Sequence, residues 1–308
     1  MSTPTVTSID VVIPVHQPRS ELRGTVRTLL DGTADRIILV CANTESLSNW
    51  VSSLPEKMLS SPRLQLQWRP DRSPSYYRNE GLDAAEGDAV LFIDSDCEVT
   101  DGLVEAHRTA YTRATEPGVK IGAVAGVTNL YPVTGSKTEQ TLVASYYAGC
   151  FSKAADQRFV DWAPTSNLSV KSDVLEAVRF DTTFPQHGGG EDVDICWQIT
   201  DAGYAIAGAD DAVVHHALWT PHREIFRRLF RWGRGEYQLV MRHPERTRQC
   251  NHELRRRLAE QVSRDDLKAT CLRWLFDITN LAGMKFESLR NGDLGKLNTF
   301  TCDPDYPD

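Results

Sequence analysis

Short apolar runs alternate with helical patterns over the first 130 residues of the chain. The runs are nearly unbroken, as is typical of strands that are buried on both faces of a sheet. Strands that alternate with helices form βαβ units, and such units build a mainly parallel sheet flanked by helices. We therefore predict an α/β fold of Rossmann-like topology, with strands at Ile9–Val15, Arg36–Cys41, Leu64–Trp68, Ala89–Ile93 and Gly122–Leu130.

The pattern changes after Pro132, where it becomes looser and more aromatic, and again after Pro221, where it is helical and ends in a polar tail. Apolar residues recur at helical spacing in this last part, at Ile225, Leu229, Trp232, Leu272, Leu275, Ile278 and Leu281. Helix start signals occur at Ser20 and at Ser73–Ser75. We expect a first domain over residues 1–216, with halves at 9–130 and 131–216, and a helical extension with a polar tail over 217–308.

Composition excludes several classes of protein. A formal net charge of −8 over 308 residues argues against a nucleic-acid-binding chain, although eleven arginines lie between Arg223 and Arg257. No apolar stretch approaches the roughly 18 residues that cross a bilayer, and no secretory leader is evident. The seven cysteines are scattered, without a Cys-x-x-Cys pair. We expect a soluble, cytoplasmic protein with reduced thiols.

The most informative stretch is Ala89–Glu98, in which an apolar strand leads directly into Asp94 and Asp96. The carboxyl end of a buried parallel strand opens into the crevice where α/β sheets bind ligands. Two carboxylates there would bind a divalent cation, which in turn would hold a phosphate. The alternative is that both acids only cap the next helix.

A second acidic pair, Glu191 and Asp192, follows three glycines at the start of an amphipathic helix. Glycine allows unusual backbone angles and close approach to a ligand. One set of carboxylates can bind a metal ion while the other removes a proton from an attacking hydroxyl. Acids are also ordinary residues at a helix start, where the helix dipole favours them.

These motifs together resemble the family 2 glycosyltransferases, which have the GT-A fold. The resemblance covers roughly residues 9–216 and rests on Val11–Val15, Tyr77–Gly81 with Ala85–Asp88, Phe92–Asp96 and Gly190–Trp197. It implies an inverting, metal-dependent enzyme that moves a hexose-type sugar from a nucleotide sugar to a hydroxyl. Residues 9–130 would then be the nucleotide-sugar-binding half and residues 131–216 the acceptor half.

The resemblance assigns the donor side of the site. Asp94 and Asp96 match the family motif in which Mn²⁺ or Mg²⁺ bridges carboxylates to the donor diphosphate. The donor-binding candidates are Pro14, Val15, Asn43, Glu45, Arg78, Asp94, Ser95 and Asp96. The family usually has a pair of acids after the second strand, one of which reads the base, whereas this chain has Asn43 and Glu45. UDP is the expected nucleotide.

On the acceptor side, Asp192 resembles the catalytic base, with Glu191 as the alternative. His215 and His216 follow a strand-like run that would deliver one of them to the crevice; we favour His215 as a metal ligand, the alternative being an ordinary loop histidine. Histidine suits Mn²⁺ better than Mg²⁺. The acceptor-binding candidates are Trp162, Asn167, Gly189 and Gly190, although Trp162 fits a core position equally well.

The acceptor itself is open and could be a glycan, a lipid-linked molecule or a small natural product. The arginines between Arg223 and Arg234 recur at helical spacing and could dock an anion, although a solvated helix face is the more common outcome. Peripheral membrane contact is compatible with this, but no wide apolar face in the sequence supports it. The rival functions are a catalytically idle nucleotide-sugar-binding or scaffold relative and a sugar-phosphate nucleotidyltransferase.

Overall fold

The structure is a computed structural model that describes residues 6–113, 116–185, 189–218, 222–247 and 267–292. Gly188, the polar tail and the arginines after Arg246 lie outside the described residues. No helix in the described ranges is long and apolar enough to cross a membrane.

The centre of the fold is a sheet in the order β3-β2-β1-β4-β8-β6-β9-β5, with β7 beside β9. Its strands are β1 Ile9–Val15, β2 Arg36–Ala42, β3 Leu64–Arg69, β4 Ala89–Phe92, β5 Cys97–Val99, β6 Ile121–Tyr131, β7 Phe159–Val160, β8 Leu168–Lys171 and β9 Ala205–Ala217. Strands β3, β2, β1 and β4 are parallel, as predicted. The other half is mixed, because β8 runs antiparallel between β4 and β6.

The helices are α1 Ser20–Asp31, α2 Glu45–Ser52, α3 Glu56–Leu59, α4 Pro74–Ala84, α5 Leu103–Arg113, α6 Lys137–Val143, α7 Tyr146–Gly149, α8 Ser172–Leu175, α9 Glu191–Asp201, α10 Arg223–Arg242 and α11 Leu267–Arg290. The start signal of α4 acts as predicted, since the Ser73 side chain accepts a hydrogen bond from the backbone N–H of Tyr76. Ser20 is instead the first residue of α1, after an Arg19 cap that makes no side-chain bond.

The parallel half is held in register by a buried carboxylate as well as by apolar packing. Every residue of β1 is buried, including Asp10. Its Oδ2 accepts hydrogen bonds from the backbone N–H groups of Glu86 (2.8 Å) and Gly87 (3.0 Å), just before β4. Buried polar groups need such partners, so Asp10 fixes where β4 begins beside β1. That register determines where the carboxyl end of β4 lies.

The chain divides into two compact units. The first comprises Met1–Tyr131, Cys150–Thr182 and Asp192–Ala217, and the second Pro132–Gly149, Thr183–Glu191 and Leu218–Asp308. The first unit contains the whole sheet. The second contains α6, α7, α10 and α11. The predicted division was a single boundary after residue 216, whereas the two units alternate along the chain.

Candidate active site

Asp94 and Asp96 lie in a tight turn between two strands. Strand β4 ends at Phe92, and the backbone N–H of Cys97 at the start of β5 donates to the carbonyl of Asp94 at 3.1 Å. The next helix, α5, begins only at Leu103. The two acids are therefore not helix caps, and the turn holds both carboxylates at the carboxyl end of β4.

Arg78 of α4 connects the two acidic motifs. Its side chain is 4% exposed, and Nη2 donates to Asp94 Oδ1 at 3.0 Å. Its Nη1 lies 3.7 Å from Asp192 Oδ1. The guanidinium also lies over the ring of Phe180, 5.5 Å from the centroid. A planar fork with several donors can bind two carboxylates at once, so one buried cation brings the predicted metal motif and the predicted base together.

The adjacent acids Glu191 and Asp192 have different surroundings. Glu191 is buried, and its Oε2 accepts a hydrogen bond from the backbone N–H of Gly189 at 2.5 Å. The Asp192 side chain is 28% exposed. Its Oδ1 accepts a hydrogen bond from the hydroxyl of Thr165 at 2.6 Å. Asp192 thus combines a fixed orientation with access to solvent, as a base requires.

Strand β9 brings His216, not His215, to Asp96. His216 is buried, and its Nε2 lies 3.2 Å from Asp96 Oδ1. Its Nδ1 lies 2.6 Å from the carbonyl oxygen of Ala217, which only accepts, so Nδ1 carries the hydrogen. Successive strand side chains point to opposite faces, so His215 points away from Asp96. The geometry therefore favours His216 over His215, the residue preferred from the sequence, as the candidate metal ligand.

The donor atoms of Asp96 and His216 fit a divalent cation. Together with Cys97 they form a group whose ligand atoms all lie within 4.8 Å of one another. With its Nδ1 hydrogen directed at Ala217, a neutral His216 would offer the lone pair of Nε2 to a cation that also binds the Asp96 carboxylate. Burial raises the pKa of the Cys97 thiol well above its ordinary value, so this side chain is a neutral thiol. Ser95 is half-buried in the same turn.

The donor-side candidates on the first two strands end at one edge of the sheet. Pro14 and Val15 are buried at the carboxyl end of β1, beside the end of β2. Asn43 and Glu45 follow β2, and both are exposed. The backbone N–H of Asn43 donates to the carbonyl of Arg69 at 2.8 Å, and the side-chain amide takes no part in this hydrogen bond. Both polar side chains are accessible to a ligand at this edge.

Sequence reasoning missed several residues around the site. Thr165 lies in the predicted acceptor half, between the candidates Trp162 and Asn167, but no pattern distinguished its hydroxyl. Phe180, under Arg78, carried no signal. His16 follows β1 directly, with Nδ1 3.4 Å from Asp71 Oδ1 and its ring centroid 4.5 Å from that of Tyr77. The positions of His16 after β1 and of Asp71 after β3 were the only signals in the sequence.

Asn167 is a core residue, which corrects its assignment to acceptor binding. It is fully buried, and its Nδ2 donates to the carbonyls of Val127 (3.0 Å) and Ala212 (2.9 Å). Its Oδ1 lies 2.8 Å from Nε2 of His107. The amide is therefore occupied by the protein on both its nitrogen and its oxygen, and its role is to join β6, β9 and α5.

His107 should make stability depend on pH. Burial lowers the pKa of His107 to about 4, below the roughly 6.5 of an exposed histidine. Between pH 6.5 and pH 4 the histidine is protonated in the unfolded chain but neutral in the folded protein. The contribution of His107 to the free energy of unfolding is therefore fully present above pH 6.5 and is lost as the pH falls towards 4. The full loss is about 3 kcal/mol. Urea unfolding at pH 7 and pH 4.5 measures it.

The His107→Gln variant supplies the control for this expectation, because its amide can still bond to Asn167. Carboxylates also titrate in acid, so the relevant quantity is the difference between the two proteins. We expect the variant to lose less stability than the wild type between the two pH values. Equal losses would contradict a buried neutral histidine.

Trp162, Gly189 and Gly190 remain predictions as acceptor-binding residues. Trp162 is half-buried against the core of the first unit, and Lys153 Nζ lies 4.7 Å from its ring centroid. Gly189 and Gly190 have φ angles of 131° and 90°, which favour glycine. In the second unit, a Cβ on Gly189 would lie 2.9 Å from the carbonyl oxygen of Arg231. The need for glycine at position 189 is therefore explained by its backbone angle and by the close approach of α10, without an acceptor.

The arginine group on α10 is partly neutralised within the second unit. Arg227 Nη1 lies 2.5 Å from Glu224, and Arg234 Nε lies 2.6 Å from Glu287. Burial lowers the pKa of Arg231. A role of this group in anion docking stays a prediction.

Comparison with known proteins agrees with this geometry. Residues 10–132 match the profile of the family described as "Glycosyl transferase family 2". Glycosyltransferase AglE of Haloferax volcanii is 27% identical over 253 residues, which are 78% of this chain and 76% of that protein. The pre-mycofactocin glycosyltransferase of Mycobacterium tuberculosis is 29% identical over 259 residues, 80% of this chain but only 50% of that protein. The chain thus spans about half the length of this relative.

A solved structure shares the fold. The mannosyltransferase PcManGT from Pyrobaculum calidifontis, in complex with GDP-Man and Mn²⁺, has a TM-score of 0.54 at 16% identity, over 95% of this chain and 85% of that one. The family profile and the relatives support a glycosyltransferase, as predicted. More particularly, residues 10–132 match the family 2 glycosyltransferases and the solved neighbour shares the fold, which supports the predicted family and fold class.

Proposed function

We propose that the chain is an inverting, metal-dependent glycosyltransferase that moves a sugar from a nucleoside diphosphate sugar to a hydroxyl acceptor. The observation that carries the proposal is the buried guanidinium of Arg78, which contacts Asp94 at 3.0 Å and lies 3.7 Å from Asp192. The Asp94 carboxylate of the metal motif and the candidate base Asp192 thus both lie beside the guanidinium of Arg78, in the first unit. Displacement of the diphosphate at the anomeric carbon requires that the site for the leaving group and the base lie close together.

Asp94, Asp96 and His216 would hold the divalent cation. When bound, the cation supplies positive charge that offsets the charge of the departing nucleoside diphosphate. A set that mixes carboxylates with an imidazole favours Mn²⁺ over Mg²⁺, which is bound mainly by oxygen. The structural neighbour was solved with GDP-Man and Mn²⁺, which supports a metal and a nucleotide sugar for this chain.

Asp192 is the proposed base. The Thr165 hydroxyl donates to Oδ1 at 2.6 Å and thereby orients the carboxylate. A carboxylate oxygen takes the proton of the acceptor hydroxyl while that oxygen bonds to the anomeric carbon. The bond from this carbon to the diphosphate oxygen breaks on the opposite face, so the configuration inverts. Arg78 remains beside both motifs and stabilises negative charge.

The nucleobase would lie at the edge formed by Pro14, Val15, Asn43 and Glu45. UDP is the proposed nucleotide, and the exposed amide of Asn43 offers both a donor and acceptors for a base edge. The acceptor class stays open. We also propose a cytoplasmic location, which the scattered cysteines without a Cys-x-x-Cys pair support.

A thermal-shift screen tests the donor assignment directly. UDP, GDP, dTDP and CDP, with their sugars, are each added with Mn²⁺, Mg²⁺ or EDTA. We expect UDP to stabilise the protein only with a metal, by about 2.7 kcal/mol at a hundred times its dissociation constant. A metal-dependent shift with GDP alone would replace UDP, and no shift with any nucleotide would contradict the proposal. NMR of the product's anomeric configuration checks inversion.

A further inference from the structure

Helix α11 of the second unit has a wide apolar face that is exposed. Its buried residues include the polar side chains of Arg273, Asn280, Glu287 and Ser288. Phe276 and Met284 are buried with them, but seven other large apolar side chains are exposed: Leu267, Trp274, Leu275, Ile278, Leu281, Phe286 and Leu289. Spacings of three, four and seven residues put these side chains on one face of the helix. An ordinary helix at the surface of a folded unit has charged and polar side chains on its exposed face.

Specific contacts with neighbouring helices fix this orientation. Glu287 Oε2 accepts a hydrogen bond from Arg234 Nε of α10 at 2.6 Å. Arg273 Nη2 donates to the carbonyl of Ala144, next to α6, at 3.0 Å. A Cβ on Gly283 would lie 2.0 Å from the carbonyl oxygen of Phe230, so α10 and α11 cross at very close distance. Rotating α11 to bury its apolar face would break all three contacts.

The exposed face extends onto α10 through an aromatic contact. The exposed ring of Phe286 lies 5.6 Å from that of Phe230. Phe230 is half-buried, so part of its side chain adds to the apolar surface. Contiguous apolar surfaces of this kind are rare on monomeric proteins and mark interaction sites.

The charges on this face identify the partner. Lys268, Lys285 and Arg290 are exposed on α11. Among the described residues of this helix neither acid is exposed: Asp277 is half-buried and bonded to Tyr147, and Glu287 is buried. In a symmetric pair of copies, the α11 face of one copy would meet the same face of the other. The basic residues of each copy would then have no acid of α11 opposite them, which is unfavourable. Anionic lipid headgroups complement the same charges.

We propose that the exposed face of α11 docks on the surface of an anionic lipid bilayer. The helix lies in the interface plane, with Ile278, Phe286 and their apolar neighbours in the acyl boundary and the basic side chains at the headgroups. Trp274, which is 60% exposed, suits that boundary because its ring is apolar and its N–H is polar. This surface is the wide apolar face that the sequence pattern did not reveal.

Co-sedimentation of the full chain with vesicles tests the proposal. One set contains phosphatidylcholine alone, and the other contains equal parts of phosphatidylcholine and phosphatidylglycerol. We expect binding to the anionic set, weakened by added salt. The double variant Trp274→Ser with Ile278→Ser should bind at least about tenfold more weakly, because two apolar anchors are lost. Lys285→Glu should weaken binding to anionic vesicles as well.

Val133→Ser is the matched control, because Val133 is 53% exposed in the same unit but lies outside α11. It should bind like the wild type, and thermal unfolding should confirm that every variant is folded. A wild type that ignores anionic vesicles would overturn the proposal. So would vesicle binding that the double variant retains in full. A dimer in solution that the double variant dissociates would assign the face to a second copy.

Discussion

Asp192→Asn should lower the transfer rate at saturating substrates by about a hundredfold or more, while donor affinity stays nearly unchanged. In the wild type the Thr165 hydroxyl donates to Asp192 Oδ1 at 2.6 Å. Asparagine has the same shape, and its amide oxygen can still accept this hydrogen bond. It cannot take up a proton at neutral pH. Arg78 keeps its contact with Asp94, so the donor side persists. Steady-state rates and donor titration by calorimetry measure the two effects separately.

Two further variants separate this role from its alternatives. Glu191→Gln keeps the acceptor for the backbone N–H of Gly189, so its activity should stay within a few-fold of the wild type. Thr165→Val removes only the group that orients Asp192, so we expect a loss smaller than that of Asp192→Asn. If Glu191→Gln abolished turnover instead, the base would be Glu191. Loss of donor binding in Asp192→Asn would put this carboxylate in the nucleotide site.

The sequence predicted the parallel half of the sheet well for a physical reason. Strands buried on both faces are unbroken apolar runs, and β1 is buried along its whole length. The place where a run stops is visible in the sequence, so the position of Asp94 and Asp96 after β4 was predictable as well. The sequence also placed Asn43 after the second strand, whose carboxyl end lies beside Val15 in the structure.

The parts that could not be predicted depend on distant partners. Which of His215 and His216 faces Asp96 depends on strand parity, and β6 and β9 pair with register shifts that no local pattern reveals. The amide of Asn167 is occupied by His107, 60 residues away in sequence. Sequence alone supplies no such pairing.

Helix α11 illustrates the limit of hydrophobic periodicity. Leu275, Ile278 and Leu281 recur at helical spacing, which predicts an apolar stripe but not the side of the helix that is buried. Here close packing at Gly283 and the buried carboxylate of Glu287 determine the orientation, and the stripe faces outward. Periodicity therefore predicted the element correctly and left its environment undetermined.

Asp96→Ala should abolish the metal-dependent part of donor binding. Asp96 Oδ1 lies 3.2 Å from His216 Nε2, about the separation expected of two donor atoms that bind one cation. Without the carboxylate, the nucleotide affinity in Mn²⁺ should fall to the value measured in EDTA. Nucleotide titration with each metal measures this loss, and an unchanged affinity in Mn²⁺ would remove Asp96 from the metal site.

Glu98→Ala is the matched control, because Glu98 is an exposed acid two residues further on, whose strand position is opposite His215. Its affinity in Mn²⁺ should equal that of the wild type. The histidines give a second matched pair: His216→Gln should weaken the Mn²⁺ response, whereas His215→Gln should not. The reverse order would mean that β9 presents its other face to the bound cation. Since both residues are histidines and their side chains point to opposite faces of β9, this pair tests the geometry of the site independently of the type of side chain.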